Sequence, residues 1–308
     1  MPRKAFSKTL LSTLGLIVAA FVLGELFWGF TSNSASSVST PKRTLPIIIS
    51  PSLPDNLVFA SENVPLNEID VIESLDRELI SNTFFHSQTI SFIKKATRFL
   101  PEVEKILQEE GIPDDFKYLP FIESAYSNVV SPAGAAGYWQ FLKGTASDYG
   151  LEVNKYIDER YHFTKATHAA CRFLKESYEE FGSWTLAAAS YNMGRRRLRE
   201  AIEEQGVNSY YNLYLNEETS RYVFRLLAVK LILEEPRLYG FAIDKGEKYP
   251  PIPTRSITIN QSEVDWFEFA KEQGVSYKTL KQLNPWLVNN HLVNSNRKSY
   301  TIDLPEKP

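Results

Sequence analysis

From Asn67 to Pro236 apolar residues return every three or four positions, and helix-ending residues divide the run into segments. Ile69, Ile72, Leu75 and Leu79 form one stripe. After Ser87 a longer one runs through Ile90, Ile93, Ala96, Leu100, Val103, Ile106 and Leu107, and Gly111 and Pro113 stop it. Asp114 and Asp115 open the next expected helix, which carries Glu123. Thr164 is read as the N-cap of another, with Ala166, Ala169, Ala170, Phe173, Leu174 and Phe181 on its buried side and Gly182 as its stop. Trp184–Asn192 is a short Ala-rich helix, and a last long one is expected over Glu217–Leu233, closed by Pro236. Nothing between residues 65 and 240 shows the two-residue period of a half-buried strand. The chain is therefore expected to be mainly α, with an all-helical domain over residues 66–245.

The texture changes after Pro250, Pro251 and Pro253. "RSITIN" alternates like a strand, "EVDWFEFAKEQG" and "SYKTLKQLNP" read as two short helices, and "SYTIDLP" reads as a closing strand. A small βααβ domain is expected over residues 254–305, with Trp266, Phe269, Leu280, Leu283 and Trp286 as its core. Residues 31–65 are rich in Ser and Pro and read as a flexible linker. Ahead of them, Arg3, Lys4 and Lys8 precede an apolar run from Leu10 to Gly24, which resumes after Glu25 as far as Phe30. Helical, Leu10–Phe30 would reach about 31 Å, the thickness of a bilayer core. Residues 1–30 are thus either a signal peptide or an uncleaved signal anchor, with anchoring favoured by the length of the run and the weak cleavage site in "TSNSASS". Both carry the rest of the chain across the membrane.

A net charge of -3 and a pI near 5.9 argue against nucleic acid as a partner. The lone Cys171 lies in an Ala-rich helical pattern and reads as a buried small hydrophobe. The four histidines lack paired ligand spacing, and no Gly-rich phosphate loop or GxSxG elbow is present. No cofactor or metal is expected, and the sequence leaves any protein partner open.

Carboxylates and aromatics remain. Glu123 sits among Tyr118, Leu119, Ile122 and Tyr126. Either it points outward and is solvated, or desolvation raises its pKa toward the range of a general acid. In Ser131–Gly137 the small residues suit close approach by a bulky ligand or a tight turn-to-helix contact equally well. Trp139, Tyr149, Trp184, Tyr191 and Tyr222 are candidates to line a sugar groove, though aromatics at helical spacing more often fill a core.

The order of motifs separates these alternatives. "YLPFIESAYSNVVSPAGAAGYWQF", then "YNMG" at 191–194 and "NEETSRYV" at 216–223, resembles the family 1 lytic transglycosylases of bacterial cell walls, in particular their membrane-bound D type within the goose-type lysozyme-like superfamily. Gln140, Tyr191 and Glu218 lie 17, 68 and 95 residues after Glu123, a family-like spacing. The C-terminal module resembles a degenerate LysM domain, a fold that binds N-acetylglucosamine-containing glycans; the usual Gly-Asp after its first strand is replaced by Gln261, Ser262 and Glu263.

The resemblance implies cleavage of the β-1,4 bond between N-acetylmuramic acid and N-acetylglucosamine in peptidoglycan strands. Glu123 matches the single catalytic acid/base, and the product is a 1,6-anhydromuramoyl end. Ser124, Gln140, Tyr191, Asn192, Glu218 and Tyr222 match substrate-binding positions, with the Tyr191 phenol placed to hydrogen-bond the acid. Asn216 replaces the family's Pro, Ser220 its Arg, and "MGRRRL" its Gly-Pro-Gly, which puts subsite preference rather than the reaction in doubt. A muramidase of the same fold would need a second carboxylate, for which Asp148 and Asp158 are the suspects. The other alternative is a non-catalytic peptidoglycan-binding scaffold.

Overall fold

The computed structural model describes residues 48–306; the N-terminal apolar run and the first part of the Ser/Pro stretch lie outside them. Among the described residues no helix is long and apolar enough to cross a membrane. The expected linker is already folded in its second half. A hairpin of β1 (Val58–Phe59) and β2 (Glu62–Asn63) pairs Val58 with Asn63. Leu57, Phe59, Ala60 and Val64 are buried in the helical core, and Phe59 meets Phe116 edge-on at 5.3 Å. The helical domain therefore begins before residue 66. These few apolar residues show no periodicity, because tertiary contacts rather than an amphipathic element bury them.

Two long helices come next, α1 (Ile69–Phe84) and α2 (His86–Glu110). The second continues through Pro101, which withholds one N–H from the helical ladder. A buried face of Phe92, Ile93, Val103, Ile106 and Leu107 holds it together, and Gly111 ends it in a left-handed conformation.

The single helix expected from Asp114 is instead a 3-10 turn, Asp114–Tyr118, and then α3 (Leu119–Ser124). Pro120 explains the break: it stands in the first turn of α3, where a missing N–H costs nothing. Further on are α4 (Lys143–Asp148) and α5 (Phe163–Phe181). His162, not Thr164, occupies the N-cap of α5, and the Thr164 hydroxyl donates to Glu102 at 2.5 Å. Gly182 ends that helix as expected. Ser183 caps α6 (Trp184–Met193), and α7 (Arg195–Gln205) begins on the three arginines that replace the family's loop. Arg195 pairs with Glu176 at 2.9 Å and Arg196 with Glu200 at 2.8 Å, so they form a solvated helix start.

The last helix of the domain, α8 (Glu217–Glu234), is capped by Asn216 and packs against α1, α6 and α3. Its buried side includes Val223, Phe224, Leu226 and Leu227. Glu78 of α1, buried, accepts a two-pronged bond from Arg221 of α8 at 2.7 and 3.3 Å, which fixes the register between the two helices.

From Ser50 onward the chain is one compact unit that includes the C-terminal module. There β3 (Thr254–Ile259) pairs antiparallel with β6 (Tyr300–Pro305), from Thr254 opposite Pro305 to Ile259 opposite Tyr300. A second ladder, which no sequence pattern predicts, joins β4 (Glu263–Asp265) to β5 (His291–Val293). Between them lie α9 (Trp266–Glu272) and α10 (Tyr277–Leu283). Trp266, Phe269, Leu280 and Trp286 are buried together, whereas Leu283 stays half-buried. Ile157 of the helical domain completes this core and bridges to Leu287.

Candidate active site

Glu123 is the next-to-last residue of α3, whose Leu119, Phe121 and Ser124 are buried. The chain leaves α3 through two consecutive left-handed residues, Ala125 (φ 53°) and Tyr126 (φ 48°). Neither is glycine, so this exit is strained and must be held by its surroundings. Lys95 of α2 holds it by donating to the Ala125 carbonyl at 2.7 Å and the Ser127 hydroxyl at 2.6 Å. The buried Tyr126 ring packs on Phe121, and its hydroxyl donates to the Lys117 carbonyl at 2.9 Å. The carboxyl is thus presented on a short helix that is braced at its C-terminal end.

Part of Glu123 still faces solvent, yet protein surrounds its carboxyl closely. Burial pushes this group up to about 7; a hydrogen bond from Tyr222 and the Arg225 guanidinium pull the other way, while Glu218 adds to the rise. Such a group exchanges a proton near neutrality, as an acid that must later act as a base requires. Of the two readings open in the sequence, the structure supports the desolvated one.

The phenol that meets the acid is Tyr222 of α8, whose hydroxyl donates to Glu123 Oε1. Tyr191, expected in that part from the family resemblance, donates instead to the Trp139 carbonyl at 2.8 Å. Its hydrogen bond therefore steadies the loop that carries Trp139 rather than the acid itself. Tyr222 is 2% exposed and its phenol is held far above its ordinary pKa by burial and by Glu123, so it remains a donor. Ser124 is 7% exposed, and its hydroxyl donates to the Tyr138 carbonyl at 2.7 Å. It ties α3 to the wall and has little surface left for a ligand.

The wall is the Ser131–Phe141 loop, closed by isolated bridges from Ala136 to Val130 and Phe141. Gln140 sits in it with φ 49°, and its side-chain amide donates to the carbonyls of Gly137 at 2.8 Å and Val129 at 3.1 Å. Gly137 answers the question of the small residues. A Cβ there would lie 1.9 Å from the Arg160 carbonyl oxygen, so this glycine serves a tight backbone contact. Trp139 is fully buried and donates to Thr167 at 2.9 Å; Trp184 stacks on Tyr178. Both belong to the core and not to the groove.

On the other side, Asn192 Nδ2 donates to Glu218 at 3.1 Å while its Oδ1 accepts from Thr219 at 2.8 Å. Asn216, Glu217, Glu218, Arg221 and Arg225 line an open concavity of about 480 Å³ beside them. Glu218, Tyr222 and Arg225 stand at i, i+4 and i+7, one stripe of α8. Arg225 lies over the Tyr222 ring, 5.8 Å from its centroid. Arg225 was not among the residues expected from the sequence, although its spacing from Glu218 and Tyr222 marks it as a groove residue. Neither were Lys95 and Glu62, which act from distant parts of the chain. Glu62 accepts bonds from the Trp184 and Thr185 amides and the Ser183 and Thr185 hydroxyls, securing the helix that carries Tyr191 and Asn192.

The suspected second carboxylates do not fit that part. Arg160 engages both oxygens of Asp158, at 2.9 and 2.7 Å, and Asp148 is exposed at the end of α4. Cys171 is buried, and burial pushes its thiol up to about 12, which leaves it unreactive.

A mainly helical domain that holds the desolvated Glu123 carboxyl beside an open groove is of the lysozyme-like kind. Comparison with known proteins makes the class more particular. Residues 103–214 match the family model described as the transglycosylase SLT domain, and residues 255–308 match the soluble lytic transglycosylase C-terminal LysM-like domain. Two curated relatives, both membrane-bound lytic murein transglycosylase D from strains of Escherichia coli, are each 26% identical over 227 residues, covering 72% of this chain and 48% of their own. The chain thus spans about half the length of these relatives. A solved structure, an inactive mutant of the lytic transglycosylase Slt from Pseudomonas aeruginosa, is similar with a TM-score of 0.38 and 20% identity, over 49% of this chain and 26% of that one. The chain carries an SLT domain followed by a LysM-like domain and is homologous to membrane-bound lytic murein transglycosylase D.

Proposed function

We propose that the chain is a peptidoglycan lytic transglycosylase that cleaves the β-1,4 bond between N-acetylmuramic acid and N-acetylglucosamine. The observation that carries this reading is the desolvated carboxyl of Glu123, raised by burial to about 7 beside the groove. Protonated Glu123 donates to the glycosidic oxygen as the bond from C1 breaks, and the 2-acetamido group of the substrate supports the electron-poor carbon. The resulting carboxylate takes the proton of the muramoyl C6 hydroxyl, whose oxygen bonds to C1. A 1,6-anhydro end forms, no water is consumed and Glu123 returns to its protonated form.

Tyr222 supports both halves of this cycle. Its bond favours the carboxylate that the second half needs, and by occupying Oε1 it leaves Oε2 for the transferred proton. Asn192, Gln140 and Glu218 are the residues proposed to meet the sugar, while Ser124, Tyr191 and the buried Tyr222 shape the site from behind. Neither Asp148 nor Asp158 is arranged to activate water, which favours the intramolecular hydroxyl as nucleophile. The LysM-like module is proposed to hold glycan strands. The basic and then apolar segment Arg3–Phe30 supports an anchor in the inner membrane, with the enzyme on the periplasmic side. Retention of the full-length chain in membranes after alkaline extraction tests the anchor.

Digestion of purified sacculi and mass spectrometry of the products test the reaction. Anhydromuramoyl ends are the expected product. Reducing ends would establish a muramidase instead, and undigested sacculi a binding scaffold.

A further inference from the structure

The segment 152–162 touches the catalytic wall on one side and the C-terminal module on the other. Toward the wall, the Arg160 guanidinium is gripped at Nε and Nη2 by Asp158, and its Nη1 donates to the carbonyls of Gly134 at 2.9 Å and Phe141 at 3.1 Å. These carbonyls lie near the tip and at the end of the loop that carries Gln140. Gly137, between them, rests on the Arg160 backbone. One planar cation therefore fastens the loop at two points, which a lysine ammonium cannot do while also engaging both oxygens of an aspartate.

Toward the module the contacts combine paired main chain with side-chain bonds and packing. The Asp158 amide donates to the Trp286 carbonyl at 2.9 Å, and Val288 donates to the Tyr156 carbonyl at 3.1 Å. Asn289 donates to the Lys155 carbonyl at 3.3 Å, and Glu152 receives Lys298 at 2.5 Å and the Tyr300 hydroxyl at 3.1 Å. Ile157 lies fully inside the module's core. The His162 ring stacks on Trp286 with centroids 5.4 Å apart. Paired backbone and a shared core are the marks of a fixed joint, whereas a tethered binding module would retain its own complete core.

We propose that Arg160 is a positioning residue for the groove, setting the Ser131–Phe141 wall against Glu123 from a footing that the C-terminal module supplies. The module is then part of the catalytic frame in addition to any hold it has on glycan. A displaced wall lowers turnover more than affinity, because many sugar contacts survive while the scissile bond loses its alignment with Glu123. The kinetic part of this proposal rests on the transglycosylase reading; the structural part does not.

The test uses the full chain with Arg160→Gln, Arg160→Lys, Ile157→Ala and Val288→Pro. Hydrogen exchange on the substrate-free protein reads the wall directly. Protection of the 131–141 amides is expected to fall at least tenfold in both Arg160 variants and at least threefold in Ile157→Ala and Val288→Pro, with α8 unchanged within twofold. On a soluble peptidoglycan tetrasaccharide, kcat of Arg160→Gln is expected to fall at least tenfold, with KM within threefold and the Glu123-dependent pH limb unmoved. Arg160→Lys should not restore it. Unchanged wall protection in Arg160→Gln and Arg160→Lys would overturn the role of Arg160. Unchanged protection in both Ile157→Ala and Val288→Pro would overturn that of the module. Wild type without anhydro product counts against the transglycosylase reading alone, and hydrogen exchange then decides the proposal by itself.

Discussion

The groove and the joint with the C-terminal module each bury a titratable ring or carboxyl, and burial drives both toward neutrality from opposite directions. Glu123 is pushed up to about 7 by desolvation, and His162 is pushed down to about 4, first by desolvation and then by Lys165. What separates them is company. Glu123 has a phenol that favours its charged form and an open side toward the groove, so both protonation states are within reach near neutrality. His162 is stacked against Trp286 and is neutral over the same range. Glu159 and Asp303 also favour the charged form of His162, but desolvation and Lys165 outweigh them, so burial leaves a proton exchangeable near neutrality only where the neighbours balance it.

The largest test of that contrast is Glu123→Gln, which keeps the shape and removes the proton. Formation of anhydro ends is expected to fall by about 10³-fold or more, as for the loss of a positioned acid that also serves as the base. Stability should move the other way. The folded-state pKa of Glu123 is raised, so its contribution is fully present below the ordinary carboxylate pKa and is lost as pH rises through about 7. Glu123→Gln should therefore be the more stable protein at pH 8, by roughly 1–3 kcal/mol. Thermal unfolding of both proteins at pH 4 and pH 8 checks this: equal differences at the two values would mean that the carboxyl is not desolvated.

Tyr222→Phe sharpens the same point. Its lost hydrogen bond leaves the carboxylate less favoured, so the pKa of Glu123 rises further. Wild-type kcat/KM should decline as pH rises through about 7, where the free enzyme loses its acid. In Tyr222→Phe that limb should move to higher pH, and turnover should drop about tenfold, from the weaker second half of the reaction. Smaller shifts of opposite sign are expected from the two outer groups of the α8 stripe. Arg225→Gln removes a cation that favours the carboxylate and should move the limb up. Glu218→Gln removes a like charge and should move it down. Two shifts of the same sign would show that something other than these charges sets the acid.

The two regions also differ in how far the sequence revealed them. The groove was largely legible: Glu123, Asn192, Glu218 and Tyr222 fall in local motifs on helices, and Gln140 in a local motif of the adjoining loop. Within it, the exchange of parts between Tyr191 and Tyr222 was not, because which phenol reaches a carboxylate depends on how α6 and α8 cross α3. Lys95 and Glu62 were hidden for a similar reason, each acting on residues far away in the chain. The joint was almost illegible. Ile157 reads as an ordinary loop apolar, and nothing in its neighbourhood announces that it belongs to a core built from residues 259–304. Main-chain pairing between segments 156–158 and 286–288 leaves no side-chain pattern at all.

The smallest expected effect concerns that joint. His162 has a depressed folded-state pKa, so its contribution is present above the ordinary imidazole pKa and is lost as pH falls through about 4. Lys165 works against its protonation, while Glu159 and Asp303 partly favour it. Phenylalanine in its place keeps a ring on Trp286 but has no proton to take up. Wild type should therefore lose roughly 1–3 kcal/mol relative to His162→Phe between pH 6.5 and pH 4, with no difference in slope above pH 7. Guanidinium unfolding at closely spaced pH values measures this, and fluorescence from Trp286 locates the loss at the joint. Parallel curves for the two proteins down to pH 4 would mean that the imidazole is already solvated, and that burial at the joint is looser than at Glu123.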